Sequence, residues 1–252
     1  IDEPHIDEVL SFCIFLLFLI LLLAIALVCL CIRRSKQRSF DEATSTSNRN
    51  KLRDKARGAS FKLLYFNYKG RGEIIRDMFR VAKVNFEDVQ IEKSDWLSVK
   101  PTTPFGDLPV LVVNGRAISH TFTICRFLGK KLGLISPSLW DQTLCDMVSE
   151  SMSEIIHLTV FIRKERDEMK QQEMKKKILG EKLPFYFNKL ESFLLRNGGG
   201  NGWLVGEEMS WTDIYIFHAI QLFLEIDPNC LENHNVLGRF FDRVKNVLLP
   251  SE

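Results

Sequence analysis

The stretch 62-KLLYFNYKGRGE-73 sets two tyrosines, a basic Gly-x-Gly and a carboxylate within twelve positions, and the fold turns on how it is read. It is compatible with a phosphate-binding loop, a tyrosine-based site, or a strand that turns into a helix. Nucleotide loops need longer glycine spacings, G-x-G-x-x-G or G-x-x-x-x-G-K-[S/T], and Gly70-Arg71-Gly72 provides neither. The glycines therefore read as a tight turn into a helix. Upstream, "FKLLYF" is a short strand by its alternation, with Phe61, Leu63 and Tyr65 on one face and Lys62, Leu64 and Phe66 on the other. Downstream, "GEIIRDMFRVAKV" carries Ile74, Ile75, Met78, Phe79 and Ala82 at helical spacing. A tyrosine hydroxyl at the end of a first strand, beside a helix amino terminus that favours anions, suits stabilisation of a thiolate or oxyanion. The alternative is a buried tyrosine whose hydroxyl has one ordinary partner.

Working outward, "NFEDVQI" alternates as a strand, the loop "EKSDWLSVKPTTPFGDL" follows, and "PVLVV" and "RAIS" flank an Asn114-Gly115 hairpin turn. "TFTICRFLGKKLGL" is amphipathic, with Ile124, Phe127, Leu128 and Leu132 expected inward. This order predicts a small mixed sheet, parallel at the first crossover and antiparallel at the hairpin. After "ISPS" at 135–138 the pattern is helical throughout: 139–168, 170–195, 210–225 and 236–248. Ser210 and Asp213 have the form of a capping box that opens the third of these helices. Pro184 is expected to kink or restart the second. The change from mixed α/β to all-α predicts a boundary between a domain at 60–135 and one at 138–252.

The chain has 252 residues, 46% of them hydrophobic, enough for one or two cored domains. Its net charge of +2 conceals an asymmetry: residues 1–32 carry −4 and residues 33–58 carry +6, leaving 59–252 near zero. A neutral globular part gives no electrostatic footprint for nucleic acid. From Val9 to Ile32 run 24 residues without a charge, preceded by an acidic tail at 1–8 and followed by "RRSKQR". That pattern predicts a single membrane-spanning helix with the rest of the chain facing the cytosol; the acidic leader and long apolar run argue against a cleaved signal peptide. Residues 33–59, polar and without apolar periodicity, are expected to form a flexible basic stem. The six cysteines show no metal-ligand spacing, so no metal site is expected, and free thiols suit a reducing compartment.

Four separated motifs, "LLYFNYKGRGEIIR", "DWLSVKPTTPFGDLPVL", "ISHTFTICRFLGKKLGL" and "WLVGEEMSWTDIY", carry a resemblance to the cytosolic glutathione transferases, most closely the sigma class. It runs from about Phe61 through Pro250, short of the family's final segment; the apolar stretch and stem lie outside it. The resemblance implies a thioredoxin-like domain that binds glutathione as co-substrate, then an all-helical domain that shapes a site for a lipophilic electrophile, in a homodimer. Tyr65 falls on the tyrosine that donates a hydrogen bond to the glutathione sulfur, and Arg71 on the arginine that assists it. Trp96 and Lys100 match the pair that holds the glycyl end, Pro109 matches a cis-proline, and the backbone of Leu108 would bind the cysteinyl unit. The acceptor pocket maps to Phe66, Arg71, Phe161 and Tyr215.

The sequence departs from the family's pattern in three places. His120-Thr121 stands where the family usually has Gln-Ser at the γ-glutamyl carboxylate, and Thr121 keeps a hydroxyl at a helix amino terminus. Glu154 replaces the aspartate that reaches across the dimer interface to the glutathione amino group. It ends a stripe with Asp146 and Glu150 that otherwise reads as a solvated helix face. Phe161 stands where the prostaglandin-isomerising members have tryptophan, which favours conjugation over isomerisation. The rival readings are a non-enzymatic membrane-anchored adaptor with the same fold, a relative of the chloride intracellular channels, and a secreted enzyme. The channel reading asks for a cysteine near the end of the first strand, where this chain has Tyr65.

Overall fold

The computed structural model describes residues 46–250, together with Ile20, Ala24, Leu27, Val28 and residues 30–33. The chain divides into two units, residues 1–48 and 49–252. In the first, the described residues at 30–33 are helical. Most of the stretch 9–32 lies outside the described residues, and no helix among the described residues is long and apolar enough to cross a membrane. The single-pass, cytosol-facing localisation expected from that stretch is withdrawn on this finding.

The second unit opens on a helix, not on a flexible stem. Residues 49–57 are helical (α1). Polar contacts fasten a segment that has almost no apolar face: Arg49 pairs with Glu208 and donates to the Met209 carbonyl, Arg53 donates to the Leu132 carbonyl, and Ala56 is fully buried. The expectation of a stem through residue 59 counted apolar periodicity and missed these cation-to-carbonyl ties.

A four-stranded sheet follows, in the order β2-β1-β3-β4. β1 (Phe61–Phe66) runs parallel to β2 (Glu87–Ile91) and antiparallel to β3 (Val110–Val113), which pairs antiparallel with β4 (Arg116–Ser119). Asn114 and Gly115 both have positive φ, 49° and 81°, as the tight hairpin between β3 and β4 requires. α2 (Gly70–Ala82) connects the parallel strands β1 and β2 and buries Ile74, Ile75, Met78, Phe79 and Ala82. The short α3 (Trp96–Val99) lies in the loop before β3, and α4 (Thr121–Leu132) packs on α2. α4 buries Ile124, Leu128 and Leu132 as expected, but Phe127 is 37% exposed, since it faces α1 and not the sheet.

The remainder is helical: α5 (Leu139–Lys164), α6 (Glu168–Lys177), α7 (Leu183–Arg196), α8 (Trp211–Ile226) and α9 (Asn235–Leu248). The first helix stops at Lys164, short of the expected 168, where Asp167 caps α6 through the Met169 and Lys170 amides. The segment expected as one helix over 170–195 divides at a π-type turn, Ile178–Lys182, and restarts with Pro184 in the first turn of α7. α8 is the central helix of this half. Its capping box is formed as expected, with Asp213 accepting from the Ser210 amide at 2.7 Å and from the Leu204 amide at 2.9 Å. Trp211 and Ile214 are fully buried. Burial pushes the Asp213 carboxyl up to about 6 despite these donors.

Candidate active site

β1 delivers Tyr65 to the junction with α2, where its ring is buried. The Tyr65 hydroxyl accepts a hydrogen bond of 3.0 Å from the Arg71 backbone N–H, in the first turn of α2. Two glycines make this approach possible. A Cβ on Gly70, whose φ is +50°, would stand 2.8 Å from the Tyr65 hydroxyl, and one on Gly72 would stand 2.4 Å from Tyr65 Cδ1. The Gly-x-Gly thus serves the tyrosine as well as the turn.

Around Tyr65 the rings form a cluster. Tyr68 meets it edge-on at 5.5 Å and stacks on Phe66 at 5.6 Å; Phe66 meets Trp96 edge-on at 5.5 Å. Burial, reinforced by Tyr65, raises the Tyr68 hydroxyl above the usual phenol range. Tyr68 lies in the loop beyond the strand, and the loop folds its ring back onto Phe66. On the other face of Tyr65 the Arg76 guanidinium sits 5.8 Å from the ring centroid, held by Glu73 and Asp88.

A second group of expected residues assembles at the amino terminus of α4. The Leu108–Pro109 peptide is cis, and both residues are buried. His120 occupies the position before the helix with φ +68° and offers it no side-chain cap. Its ring lies 5.1 Å from Phe105 and 3.8 Å from Asp107. Thr121 Oγ1 and Ser119 Oγ are buried without a hydrogen-bond partner among the described residues. Two orphaned hydroxyls beside an uncapped helix terminus make a site that can accept a carboxylate. Lys100 is exposed, with its stem against Gly106.

The expected acceptor residues are less closely gathered. Tyr215 is buried on α8, its ring 5.0 Å from Phe122, and burial raises its hydroxyl against the opposing effects of a Ser153 hydrogen bond and the Arg71 charge. Phe66 turns toward Tyr68 and Trp96, and Phe161 is 60% exposed. Glu154 accepts a 3.1 Å hydrogen bond from the Tyr186 hydroxyl of its own chain. Its stripe is not simply solvated, since Arg126 of α4 pairs with Asp146 and Glu150.

The thiols of Cys125, Cys145 and Cys230 do not supply a nucleophile here. Burial pushes the Cys125 thiol up to about 12 and the Cys145 and Cys230 thiols to about 11, so all three are protonated at neutral pH. No group of three or more potential metal ligands occurs among the described residues. One buried polar pair escaped the sequence reading: on the seam between α2 and α8, His218 Nε2 lies 2.8 Å from Asp77 Oδ2, and Arg80 pairs with the same carboxylate. Only the fold brings these positions, 141 residues apart, together.

The family described as glutathione S-transferase, C-terminal domain, matches residues 154–247. Mouse hematopoietic prostaglandin D synthase is 31% identical over 188 residues, 75% of this chain and 92% of that protein. The chicken protein of the same name is 34% identical over 186 residues, 74% of this chain and 90% of that one. Glutathione S-transferase S1 of Drosophila melanogaster is 31% identical over 194 residues, 76% of each. Among solved structures, prostaglandin synthase D of Nilaparvata lugens matches with a TM-score of 0.68 and 34% identity, covering 76% of this chain and 94% of that one. The chain belongs to the glutathione S-transferase family. It has that family's thioredoxin-like sheet followed by a helical domain, and relatives named glutathione S-transferases use glutathione as co-substrate.

Proposed function

We propose that this chain conjugates glutathione to lipophilic electrophiles, with the thiolate stabilised by Tyr65. One observation carries the reading: the Tyr65 oxygen is occupied as an acceptor by the Arg71 amide, which leaves its proton for a sulfur anion and polarises the phenol as a donor. A thiol with pKa near 9 is about one per cent ionised at neutral pH; lowering that pKa by two units takes about 2.7 kcal/mol of preferential stabilisation. One charge-assisted hydrogen bond and the α2 amino terminus together are of that size. The thiolate then attacks an electrophilic carbon, and the electron pair leaves with the displaced group or is protonated after addition.

In this proposal Thr121 and the first amides of α4 take the γ-glutamyl carboxylate, with His120 lending a ring nitrogen at the rim. The Leu108 backbone and cis-Pro109 hold the cysteinyl unit, and Trp96 and Lys100 hold the glycyl end. Phe66, Arg71, Phe161 and Tyr215 border the acceptor. The working unit is a homodimer, in which Glu154 exchanges its Tyr186 contact for the ligand's amino group. A second reading, isomerisation of an endoperoxide by the same thiolate, is favoured by relatives named prostaglandin D synthases.

The test is the thiolate absorbance of bound glutathione as a function of pH. The expected midpoint is about two units below that of free glutathione; binding without any shift would remove thiol activation from the proposal, and no binding would favour a non-enzymatic role for the fold.

A further inference from the structure

A groove between α1 and α4 lies apart from the candidate site. Its walls are Leu52 and Lys55, one turn apart on α1, and Phe127, Lys130 and Lys131, one turn apart on α4; they border an open groove of about 370 Å³. The floor is apolar, with Leu52 40% and Phe127 37% exposed. The rim is cationic, and among the described residues no carboxylate lines it.

What distinguishes these lysines, among the described residues, is that their cationic neighbours have hydrogen-bond or ion-pair partners and they do not. Arg49 pairs with Glu208, Arg53 donates to the Leu132 carbonyl, Arg57 pairs with Asp54, and Arg126 pairs with Asp146 and Glu150. Among the described residues no hydrogen bond or ion pair holds Lys55, Lys130 or Lys131. Each stands near a helix carboxyl terminus, where a cation is favourable on its own account. Dipole complementarity explains a lysine in the last turn; it does not explain three converging on one apolar floor from two helices.

Arg49, Arg53 and the buried Ala56 fix α1 in place, so both walls exist before any ligand arrives. The groove's volume of about 370 Å³ lies at the low end of the range of small-molecule sites. Lysine stems can flank a hydrocarbon tail while their heads reach its anion. We propose that the groove binds a fatty carboxylate, its tail on Leu52 and Phe127 and its head among Lys55, Lys130 and Lys131. The site is separate from the proposed glutathione contact on the same helix, since Thr121 and Lys130 are nine residues or about 13 Å apart along α4. It does not depend on glutathione chemistry.

The test uses the full chain and dodecanoate below its micellar concentration, with dodecanol and dodecyltrimethylammonium as the neutral and cationic counterparts, followed by calorimetry. Dodecanoate is expected to bind saturably and the counterparts at least tenfold more weakly. The triple substitution Lys55→Gln, Lys130→Gln, Lys131→Gln is expected to weaken dodecanoate about tenfold while leaving glutathione turnover unchanged. Leu52→Ser is expected to weaken all three probes. Binding to the acceptor region is separated by saturating with S-hexylglutathione: dodecanoate that still binds supports the groove, and full displacement overturns it. Equal affinity for dodecanol, or an unchanged affinity in the lysine variant, also overturns it. If S-hexylglutathione itself fails to bind, the glutathione proposal falls and the lysine dependence still decides this one.

Discussion

A tyrosine hydroxyl carries one proton and two lone pairs, and its use at a site depends on which of these the protein has already engaged. At Tyr65 the Arg71 amide takes a lone pair at 3.0 Å, which leaves the proton. Tyr65→Phe should therefore raise the pKa of bound glutathione by about two units and lower kcat/KM about 100-fold at neutral pH, with the loss shrinking above pH 9 where the thiol ionises unaided. A pH–rate profile that is unchanged would take Tyr65 out of this role. Gly70→Ala acts on the same hydroxyl from the other side. With φ at +50° and a Cβ 2.8 Å from that oxygen, alanine should cost about 1–2 kcal/mol in denaturant unfolding and depress turnover as the ring is displaced. The burial of Tyr65 could be read from the sequence because strand alternation set it on one face with Phe61 and Leu63, while its proposed role comes from the resemblance. The packing of Gly70, Gly72 and Tyr68 around it could not, since alternation ends with the strand and these contacts are made in the loop.

At the scale of elements, periodicity was informative wherever burial of an apolar face holds the element down. The parallel crossover and the antiparallel hairpin of the sheet, α2 and the α8 capping box follow from alternation, helical spacing and Ser210-x-x-Asp213. It failed at α1, which has a single fully buried residue, Ala56, and is fastened by guanidinium groups to carbonyls on two other segments. It failed again at Phe127, which α1 partly covers from outside. Both misses have one cause: polar ties leave no period in the sequence. They also make a quantitative expectation. The Arg49–Glu208 pair is only 15% and 24% exposed, and Arg49 donates as well to Met209, just ahead of α8. Burial lowers the Arg49 pKa, against the partial compensation of Glu208, so the carboxylate is what makes a buried guanidinium tolerable there. Arg49→Ala should destabilise the chain by about 1–2 kcal/mol and lower Tm by roughly 2–8 °C. In a double-mutant cycle with Glu208→Gln, a coupling near zero would show that the pair does not fasten α1.

Across the whole molecule two buried groups set how stability answers pH, and they act in opposite directions. His218 lies on the seam between α2 and α8, facing Asp77, Arg80, Glu73 and Lys69. Arg80 already neutralises Asp77, and burial pushes the imidazole down to about 4 from 6.5, so the neutral ring donates its Nε2 proton to the Asp77 carboxylate. Between pH 6.5 and 4 the unfolded chain takes up a proton that the native one refuses, so stability falls as pH drops through that window. Asp213, pushed up from 3.8 to about 6, does the reverse: the native carboxyl keeps a proton that the unfolded chain has released, and stability falls as pH rises from 3.8 to 6. Each contribution is bounded by about 3 kcal/mol. Their windows overlap, so the parent chain should be nearly flat in stability from pH 4 to 6. His218→Gln should leave Asp213 unopposed, with stability declining as pH rises across that range. Asp213→Asn should leave His218 unopposed and steepen the acid-side loss, in addition to the uniform cost of a weakened α8 cap. Urea unfolding midpoints at pH 4, 5, 6 and 7 separate the cases, because a structural loss shifts a curve uniformly while removal of a titrating group changes its slope. Curves of both variants parallel to the parent would mean that neither group titrates in the fold as its surroundings dictate.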